Sequence, residues 1–419
     1  MKQLVHTPEG VRDIYGNEYA KKLKIQDKIH HVLKSYGYDD IQTPNFEFFD
    51  IFSKEKGSVS TQEMFKFFDR DNNTLVLRPD MTPPISRCVT KYYQDETLPI
   101  RLCYLADTYT NNNSFQGRLK ETTQQGAELL GDETSDSDAE MIAMMIECLL
   151  KAGLTDFQID IGQVEFFNGL VEEAGMDEDT EKHLRELIEI KNFFGVEELV
   201  NSSSMEQSLK EVFLMLPKLF GSYEQLALAK NLTGNERSLN AIRRLENIYR
   251  LLTYYGLEKY VSFDLGMLGK YKYYTGIIFK AYTYGTGEAI GSGGRYDSLM
   301  KHFGKDCPSV GFSICIDFLM AAMDRQSIFI ETEKTDAMLV YAPQEQETAI
   351  RLATHFRKQG MSVQLTRKRS GHELSEYERM ASENLIEKIM CLDASNGIIT
   401  EKCLADGTES IVSIPEILN

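Results

Sequence analysis

LRPDMT, Leu77 to Thr82, sets an arginine and a carboxylate beside a hydroxyl at the end of an extended run. Asp80 can take the ammonium of a zwitterion, and Thr82 can add a hydrogen bond. A strand-end turn closed by a salt bridge fits the same residues. QGRLKETTQQGAELLG, Gln116 to Gly131, carries Arg118, Glu121, Gln124 and Glu128 in a segment with strand character. Evenly spaced polar groups would share one face, which suits a small polar ligand or an ordinary solvated surface. KYKYYTGIIF, Lys270 to Phe279, offers Tyr273 and Tyr274, which point to opposite faces of a strand. One can meet a ligand while the other packs, or both can be core. AIGSGGRYDSL, Ala289 to Leu299, contains Gly291, Gly293 and Gly294, which let a backbone approach something closely. Arg295, Tyr296 and Asp297 follow at an expected helix start. The spacing is neither a Walker loop nor G-x-G-x-x-G. SVGFSICIDFLM, Ser309 to Met320, looks like a further part of a site that handles ATP, yet it carries Asp317 and Phe318 where such a site wants an arginine.

These residues need a scaffold. Asn17 to Tyr36 has Leu23, Ile25, Ile29, Val32, Leu33 and Tyr36 at roughly helical spacing, with Asn17 as a cap and Gly37 as a stop. Extended segments follow at 41–44, 74–78, 100–109 and 122–130. Asp138 to Lys151 is helical, and DFQIDI, Asp156 to Ile161, alternates like a strand. Hairpin-length links between strands favour an α+β fold, an antiparallel sheet with helices packed against it. From Asp177 to about Tyr255, Leu, Glu and Lys recur at helical periods, which predicts a helical insertion. Strand character returns at 261–265, 276–284 and 289–291. Asp324 to Thr335 is polar and reads as a linker. Beyond it, strand 337–341, helix 344–358 and strand 361–365 predict a small C-terminal α/β domain over 335–419.

Composition narrows the function classes. The 419 residues allow two or three domains, and 42% are hydrophobic, close to the usual globular share. No run approaches the ~18 apolar residues of a membrane helix, and MKQLVHTPEG has no apolar core like that of a secretory signal. A cytoplasmic protein is expected. Seven dispersed cysteines without a C-x-x-C pair point to reduced, mostly buried thiols. No metal site and no cofactor are expected, and His30 and His31, adjacent in sequence, read as solvated or packing residues. The net charge of −18 disfavours nucleic acid as a main partner. Arg367-Lys368-Arg369 is too short a basic run to change that.

Taken together and in this order, the motifs resemble the core of class II histidyl-tRNA synthetases over most of residues 5 to 323. PEGVRDIYG looks like that family's start. LRPDMT matches its LRPEGT, with Asp80 for the glutamate. KYYTG matches the end of its R-G-L-D-Y-Y-T-G, GSGGRYDSL its G-G-R-Y-D-G-L, and GFSICIDFL its third motif, G-F-A-x-G-x-E-R-L. The resemblance implies a class II core over 1–324. It also implies a histidine site built from Asp80, Thr82, Arg118, Gln124, Glu128, Tyr273, Tyr274, Arg295 and Tyr296. Three synthetase arginines are absent by this alignment. The second motif, F-R-x-E, falls on Y-T-N-N and puts Thr110 at its arginine. The arginine before G-L-D-Y-Y falls on Gly269, and that of the third motif on Phe318. Each such cation is worth ~10²–10³ in rate, and neutral residues cannot replace it. The pattern therefore implies histidine binding without activation.

That pattern is similar to the family of regulatory subunits of ATP phosphoribosyltransferase. Membership implies a non-catalytic chain that pairs with a short catalytic subunit, with histidine as effector, and a homodimer within a hetero-oligomer. The C-terminal segment resembles a trimmed anticodon-binding domain. The alternatives are a working histidyl-tRNA synthetase and a stand-alone histidine-binding module.

Overall fold

The computed structural model describes residues 5–52, 59–112, 118–269 and 274–418. The chain divides into two compact units, Met1–Ile330 and Glu331–Asn419. In the first, α1 (Gly16–Ser35) buries Ile25, Ile29, Val32 and Leu33 along one stripe. The helix starts at Gly16 with Tyr15 in the cap position, two residues before the expected Asn17, and the chain turns out of the helix at Gly37 with φ +80°. β1 (Asp39–Asp40) leads into a small antiparallel sheet of β2 (Phe46–Phe48), β3 (Lys66–Phe68) and β4 (Thr74–Leu77), with β4 in the middle. α2 (Thr82–Tyr92) starts where LRPDMT ends, with Pro83 and Pro84 in its first turn, where no backbone N–H is needed.

β5 (Ile100–Tyr109) and β6 (Glu121–Leu130) form a long antiparallel hairpin in which Leu102 faces Glu128, Tyr104 faces Gly126 and Thr108 faces Thr122. α3 (Ser135–Ala152), β7 (Phe157–Gln163) and α4 (Val164–Ala174) follow. The insertion is α5 (Glu178–Glu189), α6 (Phe193–Ser202), α7 (Gln207–Met215), α8 (Glu224–Leu232) and α9 (Glu236–Tyr255). It is not wholly helical: β8 (Phe220–Gly221) pairs antiparallel with β9 (Val261–Asp264) and stitches the insertion to the sheet edge. β10 (Ile277–Thr283), β11 (Gly291–Arg295), α10 (Leu299–His302), β12 (Ser309–Cys315) and α11 (Ile316–Arg325) complete the unit. Among the described residues, nine strands form one sheet in the order β1-β5-β6-β12-β11-β10-β7-β9-β8.

The glycine run departs from expectation. Gly291 to Arg295 is a central strand, and the next helix starts only at Leu299. A Cβ on Gly293 would stand 2.4 Å from Phe279 Cζ, and one on Gly294 2.5 Å from Tyr274 Cε1. The strand has no room for side chains there, and glycine is what close approach demands. One face of the sheet is sealed by α1 and α3, whose buried residues join Cys103, Ala127 and Leu129 in the main core. The other face carries the cavity described below.

The second unit is α/β: β13 (Thr335–Tyr341), α12 (Gln346–Lys358), β14 (Val363–Arg367), α13 (Leu374–Glu383), β15 (Ile386–Asp393), β16 (Ile398–Cys403), β17 (Glu409–Ser413) and α14 (Ile414–Leu418). β13 pairs parallel with β14 and β15, and β15–β16–β17 continue antiparallel.

Candidate functional site

Period-two geometry puts Tyr104 and Thr108 of β5 and Thr122, Gln124 and Glu128 of β6 on the open face of the sheet. With Gly311 and Ser313 of β12, Gly294 of β11, the turn at Asp80 and Thr82, and the rings of Tyr274 and Tyr296, they enclose a cavity of about 200 Å³. Six candidate residues thus meet in one place: Asp80, Thr82, Gln124, Glu128, Tyr274 and Tyr296. Tyr273 lies outside the described residues.

Glu128 is the centre of the polar arrangement. It is 1% exposed. Thr82 Oγ1 donates to its Oε1 at 2.8 Å, and the Tyr296 hydroxyl donates to its Oε2. Burial pushes its carboxyl up to about 8, against the pull of those two bonds and with a further push from Asp80. Its space exists because Gly311 has no side chain: a Cβ there would sit 1.7 Å from Oε2. Asp80 Oδ1 accepts from the backbone N–H of Met81 at 2.6 Å and of Thr82 at 3.3 Å, which fixes the turn into α2. Gln124 Oε1 is buried with no hydrogen-bond partner among the described residues. A buried acceptor of that kind wants a donor, and it faces the cavity. The described lining is therefore two carboxylates, an open amide oxygen and a ring of hydroxyls, suited to a small ligand rich in N–H donors.

Two candidates lie elsewhere. Arg118 is exposed and pairs with Glu288 Oε1 at 2.9 Å, because β6 begins only at Glu121 and leaves it in the preceding loop. Glu121 falls on the opposite face from Gln124 and Glu128, an odd position in the alternation. Arg295 is buried but does not line the cavity. Its Nε donates to Asp138 Oδ1 at 2.8 Å and its Nη2 to Ser137 Oγ at 2.8 Å, so it clamps β11 to α3. The arginine of LRPDMT is likewise an anchor. Arg78 donates to the carbonyls of Asp107, Thr43 and Pro44, and not to Asp80. Tyr104, Thr108 and Ser313 were not among the sequence candidates. The signal for the first two was present, since they alternate on β5 as Gln124 and Glu128 do on β6.

Thr110 lines the cavity. Gly269 takes φ +79°, with Ile278 Cδ1 2.5 Å from where a Cβ would be. Phe318 is half-buried against the main core. Asp317 holds the scaffold together. Its Oδ1 meets Lys22 Nζ at 3.1 Å and its Oδ2 accepts from the Thr123 N–H at 2.7 Å. Lys22 also donates to Thr123 Oγ1 at 2.7 Å. This buried pair ties α1 to β6 and to the start of α11. Lys22→Ala strands a buried carboxylate and should cost about 3–5 kcal/mol. Lys22→Met with Asp317→Asn should recover part of that loss, and denaturant unfolding of the two variants measures the difference.

The sheet order and the acid-and-hydroxyl cavity on its open face define a class II aminoacyl-tRNA synthetase-like protein. The family described as histidyl-tRNA synthetase matches residues 10–319. An ATP phosphoribosyltransferase regulatory subunit of Acetivibrio thermocellus is 44% identical over 361 residues, 86% of each chain. That of Clostridium acetobutylicum is 35% identical over 403 residues, 94% of this chain and 97% of that one. Among solved structures, a Bacillus halodurans ATP phosphoribosyltransferase regulatory subunit/histidyl-tRNA synthetase superposes with a TM-score of 0.84 at 31% identity, covering 93% of this chain and 98% of that one. A Nostoc histidyl-tRNA synthetase, 21% identical, shares the fold with a TM-score of 0.80 over 99% of this chain and 98% of that one. The chain belongs to the histidyl-tRNA synthetase-like family of ATP phosphoribosyltransferase regulatory subunits. Among the described residues no helix is long and apolar enough to cross a membrane.

Proposed function

We propose that this chain is the non-catalytic regulatory subunit of a cytoplasmic ATP phosphoribosyltransferase, which joins ATP to phosphoribosyl pyrophosphate in the first step of histidine biosynthesis. It activates a short catalytic subunit and relays histidine inhibition, as a homodimer within a hetero-oligomer. One observation carries the reading. Six residues expected for histidine share one cavity, while the three positions where the resemblance places synthetase arginines hold Thr110, Gly269 and Phe318. A pocket of donor-seeking oxygens can hold an ammonium and an imidazole N–H. The described lining offers no cation for a triphosphate, which argues against adenylate formation there. For histidine to regulate, it must bind two assembly states unequally. The C-terminal unit serves as a structural or docking domain.

Reconstitution tests this. The chain is mixed with the short catalytic subunit of the same genome, and phosphoribosyl-ATP formation is followed with and without histidine. Strong activation that histidine suppresses is expected. No complex and no activation would leave a stand-alone histidine-binding module, and histidine-dependent pyrophosphate exchange into ATP would instead mark a working synthetase.

A further inference from the structure

On the far side of the sheet from the cavity, a second group of side chains converges that the regulatory reading does not use. His30 projects from the last part of α1, Asp40 from β1 and Cys103 from β5. Their nearest ligand atoms, an imidazole nitrogen, a carboxylate oxygen and a thiol sulfur, all lie within 4.8 Å of one another. His30 Nε2 is 2.6 Å from Asp40 Oδ1, and Cys103 Sγ is 3.5 Å from the same oxygen. The strands hold two of the three in register, since Asp40 is the parallel partner of Cys103.

We propose that His30, Asp40 and Cys103 form a zinc-binding site at the edge of the sheet. A tetrahedral Zn²⁺ bonds nitrogen and oxygen at about 2.0–2.2 Å and sulfur at about 2.3 Å, which separates neighbouring ligand atoms by about 3.5 Å. The Asp40–Cys103 distance already has that value. The His30–Asp40 hydrogen bond must open by a little under about 1 Å, and His30 Nε2 must close on Cys103 Sγ. Both are small side-chain rotations, because His30 and Asp40 are open to solvent while Cys103 is fixed in the core. A mixed N/O/S donor set suits zinc better than magnesium or calcium, which take oxygen ligands. The fourth position faces solvent and would be water. Binding exchanges the thiol proton for the metal, so Zn²⁺ and a solvent base are the only other reactants. The ion would pin the end of α1 to the β1–β5 edge.

One neighbour opposes the ion. Lys34 Nζ lies 3.2 Å from Asp40 Oδ2 and 3.7 Å from Asp39 Oδ1. Its ammonium shares the carboxylate that the metal needs, which gives the site a signature that chance surface binding lacks. The sequence alone gives no hint, because the three ligands lack the short spacing of familiar zinc motifs and only the fold brings them together.

The test uses the tag-free full chain, reduced with a phosphine so that no added thiol competes, and titrated with Co²⁺ and then Zn²⁺. One equivalent of Co²⁺ should give tetrahedral visible bands and a near-ultraviolet thiolate-to-cobalt band, both erased by Zn²⁺. Cys103→Ser should abolish the near-ultraviolet band. His30→Gln, at a half-exposed helix position that does not threaten folding, should weaken binding at least about 10-fold. Lys34→Ala should tighten it about two- to fivefold. Absence of the thiolate band in the parent chain, its survival in Cys103→Ser, or parent-like affinity in His30→Gln would each overturn the proposal.

Discussion

Glu128→Gln should weaken histidine binding about 100-fold while leaving the assembly with the catalytic subunit intact. Glu128 receives hydroxyl bonds from Thr82 and Tyr296 at the floor of the cavity, and Gly311 leaves it room. Glutamine keeps the shape but offers one acceptor and one donor group, so it cannot receive two hydroxyls and also carry the charge that an imidazole or ammonium requires. The effect has a pH signature. With its carboxyl raised to about 8, the empty cavity holds Glu128 protonated at neutral pH. Binding a cationic donor must expel that proton, so affinity should climb with pH by up to about tenfold per unit and level off above the raised value. Fold stability should run the other way. A carboxyl raised above its unfolded value keeps a proton in the native chain that the unfolded chain has lost. Stability is therefore whole below the unfolded value and declines as pH rises from there to about 8. Glutamine removes that slope. Calorimetric titration of histidine against both chains at several pH values, with urea unfolding alongside, measures both trends. Equal affinities with no pH dependence in the parent chain would remove Glu128 from the site.

Much of the framework was legible because it rests on short-range periodicity. The stripe of Ile25, Ile29, Val32 and Leu33 on α1 and the alternation of β5 and β6 are both written in adjacent residues. The cavity was legible in part for the same reason, since Gln124 and Glu128 share a strand face by parity alone. The arginines were not. Arg118, Arg295 and Arg78 have the chemistry of a binding site, but each is satisfied by partners far away in sequence: Glu288, Asp138, and the carbonyls of Thr43 and Asp107. A guanidinium's role depends on which partners the fold brings, and period-two spacing does not encode that. The glycine run differs from its local reading for a related reason. Gly293 and Gly294 look like a loop before a helix, yet Phe279 and Tyr274 of neighbouring segments press on them and make them a strand. Asp317 shows the same limit. It sits where the resemblance places a neighbouring acid of the third motif, but the partner that defines it is Lys22, on the first helix.

Arginine placed together at Thr110, Gly269 and Phe318, where the resemblance sets the synthetase's arginines, should not give adenylate formation. If three guanidinium groups were all that adenylate formation needed here, each would contribute ~10²–10³ in rate, and histidine-dependent pyrophosphate exchange would become easy to detect. The surroundings of these positions oppose that. Only Thr110 faces the cavity, so Thr110→Arg has space, although it would compete with ligand for the volume of about 200 Å³. At Gly269 the backbone is left-handed, which costs an L-residue about 1–2 kcal/mol. Its new Cβ would meet Ile278 Cδ1 at 2.5 Å and Tyr274 Cδ2 at 3.3 Å, displacing the ring that closes the cavity. Phe318→Arg would draw a side chain off the main core, against which Phe318 packs half-buried, and so loosen α11. The triple variant should therefore be less stable than the parent chain, bind histidine more weakly and show exchange no higher than the blank. Exchange more than about 100-fold above the blank would mean that the scaffold supports catalysis and lacks only three side chains. A blank result, with Thr110→Arg alone folded and stable, would point to the backbone at Gly269 and the packing at Phe318 as the obstacles. A few substitutions would then not be enough, because at Gly269 and Phe318, where the resemblance sets synthetase arginines, the chain packs against its own core and against the ring that closes the cavity.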